Sequence, residues 1–295
     1  MSGVREPAVA GQFYEGERGR LAASLEECFR HPLGPGSLPV VAQEGPGLIS
    51  ALVSPHAGYM FSGPAAACAY HALAADGAPE VAIILGPSHH AGGRRAAVSL
   101  AEAWRTPLGL TQVAVELGQE LIAACDLLEA DEQVHRLEHS LEVQVPFLQF
   151  IYGDRAPRIC PICVRSHPFS SLQQAAADAR AIGETIARVA GKHKVVVIAS
   201  TDFSHHIPHE RAQRQDRMAL DAIVALDPER LLRTVVEHDI SMCGPVPVAI
   251  ALHWSLARGG EPRASLLRHY TSGDIISDRR AVVGYASVVV ARGGG

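Results

Sequence analysis

Five short apolar runs punctuate this chain: GLISALVSP (47–55), VAIILGP (81–87), RICPICV (158–164), KVVVIAST (194–201) and AVVGYASVVVA (281–291). Runs this short and this rich in Val, Ile and Leu read as strands, and continuous apolarity means both faces are buried. Between them lie segments of helical periodicity: RGRLAASLEECF (18–29), GPAAACAYHALAA (63–75), ELGQELIAAC (116–125), SSLQQAAADARAIGETIARVA (170–190), RAQRQDRMALDAIVAL (211–226), PERLLRTVVEH (228–238) and VPVAIALHWSLARG (246–259). That alternation predicts an α/β fold, a mostly parallel central sheet flanked by helices on both faces. Local chemistry supports the boundaries. Pro64 falls near a helix start, Ser170 or Ser171 suits an N-cap, and Gly259 closes the last helix. SLEVQVPFLQFIYG (140–153) reads as a further helix that must accommodate Pro146 early. The final strands, ASLLRHYTS and AVVGYASVVVA, are joined only by GDIISDRR, too short for a crossover, so they are expected to be antiparallel. No linker, composition shift or repeat interrupts the 295 residues, and one domain over 1–295 is expected.

Composition closes off several functions. The net charge is −5 with pI near 6.3, which gives no basic face for nucleic acid. No apolar stretch reaches the ~18 residues of a membrane span, and the N-terminus lacks a secretory pattern, so a cytoplasmic protein is expected. The six cysteines show no disulfide framework. Cys160 and Cys163 form a CxxC, but within a strand residues three apart face opposite ways, which argues against chelation. The two lysines among 26 Lys plus Arg read as genome bias.

Three of the apolar runs end in histidine: the first in His56-Ala57-Gly58-Tyr59, the second in His89-His90, the fourth in Asp202-Phe203-Ser204-His205-His206. Strand ends of a parallel sheet share one edge, where ligand crevices form, so three sequence-distant histidine loops can meet there. Imidazole is both the commonest metal ligand and the usual acid/base at neutral pH. Cys243, in SMCGP just before an expected helix, adds a thiol; a helix start favours the thiolate, which is a ligand for soft and borderline metals. His139 and Glu142, spaced i, i+3, would share one helix face and could form either a polar pocket wall or a solvated face with a local pair. His71, His193, His238, His253 and His269 read as structural or solvated.

REPAVAGQFY, SPHAGYMFSGPAAACAY, ILGPSHH, WRTPLG, EHSLEVQVPFLQ, STDFSHH, MCGPVP and HYTSGD together resemble, in order and over nearly the whole chain, the Memo family, whose bacterial and archaeal members are called AmmeMemoRadiSam system protein B. The resemblance implies the fold of the class III extradiol (LigB-like) dioxygenases, which hold Fe(II) with two histidines and a carboxylate and open catechol rings with O2. By that resemblance His56 and His89 match the ligand histidines, Cys243 stands where the dioxygenase carboxylate would be, His205 matches the acid/base histidine, and Asp202 belongs to the same loop. Tyr59, His90, His139, Glu142 and His206 are the remaining pocket candidates. The expected cofactor is one divalent or redox-active metal ion, iron first, copper or zinc next. The expected activity is that of a metal-dependent redox enzyme acting on a small molecule such as an aromatic diol. Two alternatives are a metal-binding partner without turnover, acting with radical-SAM and AMMECR-type proteins, and a zinc-dependent hydrolase.

Overall fold

A computed structural model describes residues 3–90, 95–166, 171–191 and 193–293. Its main sheet has nine strands. Along the sheet lie His205–Ile207, Val282–Ala291, Ile49–Ser54, Val195–Ser200, Val81–Pro87, Arg158–Val164, Ala96–Val98 and Leu128–Ala130, with Arg263–Thr271 also paired to Val282–Ala291. The four central strands, from Ile49–Ser54 to Arg158–Val164, run parallel. The last two strands pair antiparallel, as their short connection requires. Val4–Arg5, Ala103–Thr106 and Gly109–Gln112 make a small second sheet.

Continuous apolarity in the central strands has the expected cause. Alternate residues feed two cores: Ile83 and Leu85 enter one, Ala82 and Ile84 the other. One core packs beneath helices Leu172–Ala190, His209–Val224, Pro228–Glu237 and Pro245–Ala257, the other beneath Arg18–Arg30, Tyr59–Asp76 and Val145–Tyr152. Cys160 lies in the first core and Cys163 in the second, so the CxxC pair is split across the sheet and both thiols are free.

Two helix starts differ from the local reading. The helix over 63–75 in fact begins at Tyr59, so Pro64 is inside it. The carbonyl Pro64 leaves unbonded belongs to Met60, a residue 68% exposed, where water can satisfy it. The 140–153 segment opens as a 3-10 turn, Glu142–Gln144, before an α-helix from Val145 that carries Pro146 in its first turn. Ser171 caps its helix through Gln174 N at 3.2 Å; the alternative, Ser170, lies outside the described residues. Gly259 ends its helix with φ +69. Parallel strands put all their C-terminal ends on one edge, and the histidine loops emerge there.

Candidate metal centre

His56 follows the strand Ile49–Ser54 and is 2% exposed. Its backbone N–H donates to Asp202 Oδ1 at 2.8 Å, which ties this loop to the one leaving Val195–Ser200. His89 follows Val81–Pro87; its N–H donates to Glu138 Oε2 at 2.7 Å and its Nδ1 lies 2.9 Å from Glu138 Oε1. His139, from the turn preceding Glu142, brings its ring to 5.4 Å from that of His56 and 4.4 Å from that of His89. One ligand atom from each of His56, His89 and His139 falls within 4.8 Å of the other two. This cluster could hold a metal ion.

The hydrogen bonds fix which nitrogen of each ring is available. Ser200 Oγ donates its one proton to the Ser140 carbonyl at 2.6 Å and accepts from Gln144 Nε2 at 2.8 Å. It therefore accepts from His56 Nδ1, 2.9 Å away, so the His56 proton is on Nδ1 and the lone pair on Nε2. Glu138 is a carboxylate acceptor, so His89 likewise carries its proton on Nδ1. His205 Nδ1 faces the Ser241 carbonyl at 2.7 Å, which can only accept. In the neutral form all three rings therefore take one tautomer, proton on Nδ1 and lone pair on Nε2, the arrangement in which outer hydrogen bonds orient metal-binding imidazoles.

Electrostatics favour the neutral form of two rings of the cluster, His56 and His139. Burial, helped by the neighbouring His139 and His89, holds His56 well below the usual histidine range. Burial, with His89 next, brings His139 down to about 4. Glu138, fully enclosed, stays ionised: burial opposes the charge, but its bonds to His89 and to the Ser140 N–H pull its carboxyl well below the usual range. Cys243 Sγ lies 3.2 Å from His56 Nε2 and accepts from the Asp202 N–H at 3.2 Å.

The thiolate expected from the helix start is corrected by this environment. Burial, reinforced by the Asp202 charge, pushes the Cys243 thiol up, so in the metal-free chain it is an S–H facing the His56 lone pair. Cys243 also stands beside the cluster rather than within it: the atoms that close within 4.8 Å belong to three histidines, whereas the expected set was His56, His89 and Cys243.

Other expected residues take different places. Asp202, expected among the catalytic groups, is 4% exposed, and its carboxylate accepts from the His56 and Ala57 N–H groups; it positions a loop. His205 is half-buried, with its backbone N–H donating to Ser241 Oγ at 2.7 Å. Glu142 does not line a pocket with His139. It is 1% exposed, pairs with Arg5, and accepts from Ala8 N at 2.8 Å, Val9 N at 3.1 Å and the Tyr14 hydroxyl at 2.5 Å, so it anchors the N-terminal segment. That segment in turn packs Phe13 on His139, ring centres 4.6 Å apart. Tyr59 is 3% exposed and its hydroxyl donates to the Val143 carbonyl, which leaves it in the core rather than in a pocket. His90 and His206 are exposed: His90 Nε2 meets the Leu137 carbonyl at 3.1 Å, and His206 adopts φ 56 with its ring 6.2 Å from that of His205. Glu138, Ser200 and Gln144 escaped the sequence reading. The adjacency of Glu138 to His139 is a local signal for Glu138 alone, and it does not tell an enclosed carboxylate from a solvated one.

The family model described as "Memo-like protein" matches residues 5–289. A MEMO1 family protein of Methanopyrus kandleri is 43% identical over 291 residues, covering 98% of this chain and 99% of the relative. One from Ignicoccus hospitalis is 42% identical over 285 residues, covering 97% and 98%. The crystal structure of an uncharacterized protein from Escherichia coli superposes with TM-score 0.55 at 14% identity, covering 81% of this chain and 99% of that one, a likeness of fold alone. With a matching model over nearly its whole length and full-length relatives above 40% identity, this chain belongs to the Memo-like (MEMO1) family.

Proposed function

We propose that this protein is a metal-dependent redox enzyme that acts on a small molecule of the aromatic-diol type at the histidine edge of the sheet. The observation that carries the reading is the shared tautomer: unprotonated Nε2 atoms on His56 and His89, with His139 and the Cys243 thiol beside them. Neutral imidazoles with their outer nitrogens already bonded fit a metal ion, and a thiol next to them suits iron, copper or zinc better than magnesium or calcium. His56 and His89 would hold the ion, with Cys243 or His139 completing the set. Such an ion, when bound, polarises an oxygen substituent and, if redox-active, exchanges electrons.

The chain's own groups do the rest. Glu138 fixes the His89 ring and the turn that carries His139. Asp202 holds the His56 loop in register. His205, its Nδ1 proton directed to the Ser241 carbonyl, would use Nε2 to take a hydroxyl proton from a bound diol and return it later. Acid/base help of this kind is worth about 10²–10⁴-fold in rate.

The test is O2 consumption with a panel of catechols by anaerobically purified, metal-replete protein, beside His205→Phe. The reading expects uptake by the parent chain and its collapse in the variant at unchanged metal content. Metal without uptake on any diol would favour a binding role, alone or with a partner protein. Equal uptake by the variant would remove His205 from the chemistry.

A further inference from the structure

The opposite edge of the sheet carries a second feature. A cleft of about 570 Å³ opens where the strands Ile49–Ser54 and Val195–Ser200 begin. Small-molecule sites span about 300–1,000 Å³. A strand of six residues separates this cleft from the histidine edge, roughly 20 Å at about 3.3 Å per residue.

Its wall is cationic in a chain whose net charge is −5. Arg155, Lys194, Arg258 and Arg292 line it, against the carboxylates of Glu44 and Asp76. Asp76 is already committed, accepting from Leu48 N at 2.9 Å and Ile49 N at 2.8 Å. Some arginines elsewhere on the surface have acidic partners, as Arg30, Arg105, Arg180 and Arg280 do. Among the described residues, none of the four cleft cations has one. The Arg292 side chain donates to the Gly47 carbonyl at 3.1 Å. Arg258 lies over the Trp254 ring at 4.8 Å, and its Nη1 is enclosed without an acceptor. Burial, and after it the charge of Arg292, hold the Arg258 guanidinium below the ordinary arginine value.

From the cleft, its unpaired cations and the orphaned guanidinium nitrogen, we infer that this edge binds a small molecule carrying a multiply charged oxyanion group, a phosphate or a carboxylate cluster. Guanidinium forks match the paired oxygens of either group, and Lys194 adds a mobile charge at the rim. The site is distinct from the metal centre in position and in chemistry.

The test is calorimetric titration of the full chain at low ionic strength with pyrophosphate and, separately, with citrate. Saturable one-site binding of at least one probe is expected. It should weaken at least tenfold in the double variant Arg258→Gln, Arg292→Gln, and not at all in Arg105→Gln. Because Arg258 packs on Trp254, Lys194→Gln provides a variant with an exposed side chain, expected to lose about threefold. Preference for pyrophosphate assigns a phosphorylated ligand, and preference for citrate a polycarboxylate. Binding of neither probe by the parent chain, or undiminished binding by both the double variant and Lys194→Gln, overturns the inference.

Discussion

Glu138 ties three parts of the cluster together. One enclosed carboxylate accepts from the His89 backbone and ring, accepts from the Ser140 N–H, and lies 3.4 Å from His139 Nδ1. It fixes ring orientation and makes the imidazoles better ligands. Glu138→Gln keeps the shape and removes the charge, so metal affinity is expected to fall about 10–100-fold with the fold intact, measurable by chelator competition. Unchanged affinity would mean that the charge plays no part. This residue was not legible in the sequence, because a glutamate in RLEHSLE looks like a solvated helix charge until tertiary packing encloses it. His56 and His89 were legible, because each ends an apolar run that has to be a buried strand. The Cys243 thiolate was misread because local helix-start electrostatics are outweighed by burial beside Asp202, a group 41 residues away in the chain.

The CGP turn shows how an element delivers a side chain. Gly244 is the N-cap of the helix Pro245–Ala257. A Cβ there would meet the Ser200 carbonyl oxygen at 2.6 Å and Thr201 Cβ at 2.7 Å. Only glycine lets the helix start approach the end of the strand Val195–Ser200 so closely, and that approach sets Cys243 against His56. Gly244→Ala must push helix and strand apart. A loss of about 1–3 kcal/mol is expected from such overpacking, read as a lowered denaturant midpoint, with weaker metal binding alongside. A variant as stable as the parent would show that the contact is soft. The His139–Glu142 pairing failed at the same scale: i, i+3 spacing implies a shared face only on a helix, and here a turn enters a 3-10 segment at Glu142.

Across the whole molecule, the parallel strands separate two chemistries, a histidine cluster at one edge and a group of cations without acidic partners among the described residues at the other. The architecture was readable because strand and helix periods alternate cleanly; the cationic cleft was not, since its residues come from six separate stretches of chain. Stability should carry a histidine signature in its pH dependence. His135 is fully buried, its Nε2 donates to the Ala97 carbonyl at 3.0 Å, and its Nδ1 has no partner that could accept a second proton. Burial brings it down to about 4. Below about 6.5 the unfolded chain takes up a proton that the folded chain refuses, so stability is complete above that pH and declines as pH falls toward about 4. Melting temperature should follow this course, with a shallower decline in His135→Gln. A flat profile over that window would show that the ring is solvated.

The most direct measurement is the metal content of the anaerobically purified, dialysed chain by elemental mass spectrometry, beside His56→Ala, His89→Ala and the distant His71→Ala. One ion per chain is expected for the parent and for His71→Ala, falling below about a tenth of an ion in each of the other two, a loss expected when a ligand that is itself held by outer hydrogen bonds is removed. Full occupancy in both His56→Ala and His89→Ala, with the fold retained, would contradict a metal centre at the histidine edge of this sheet.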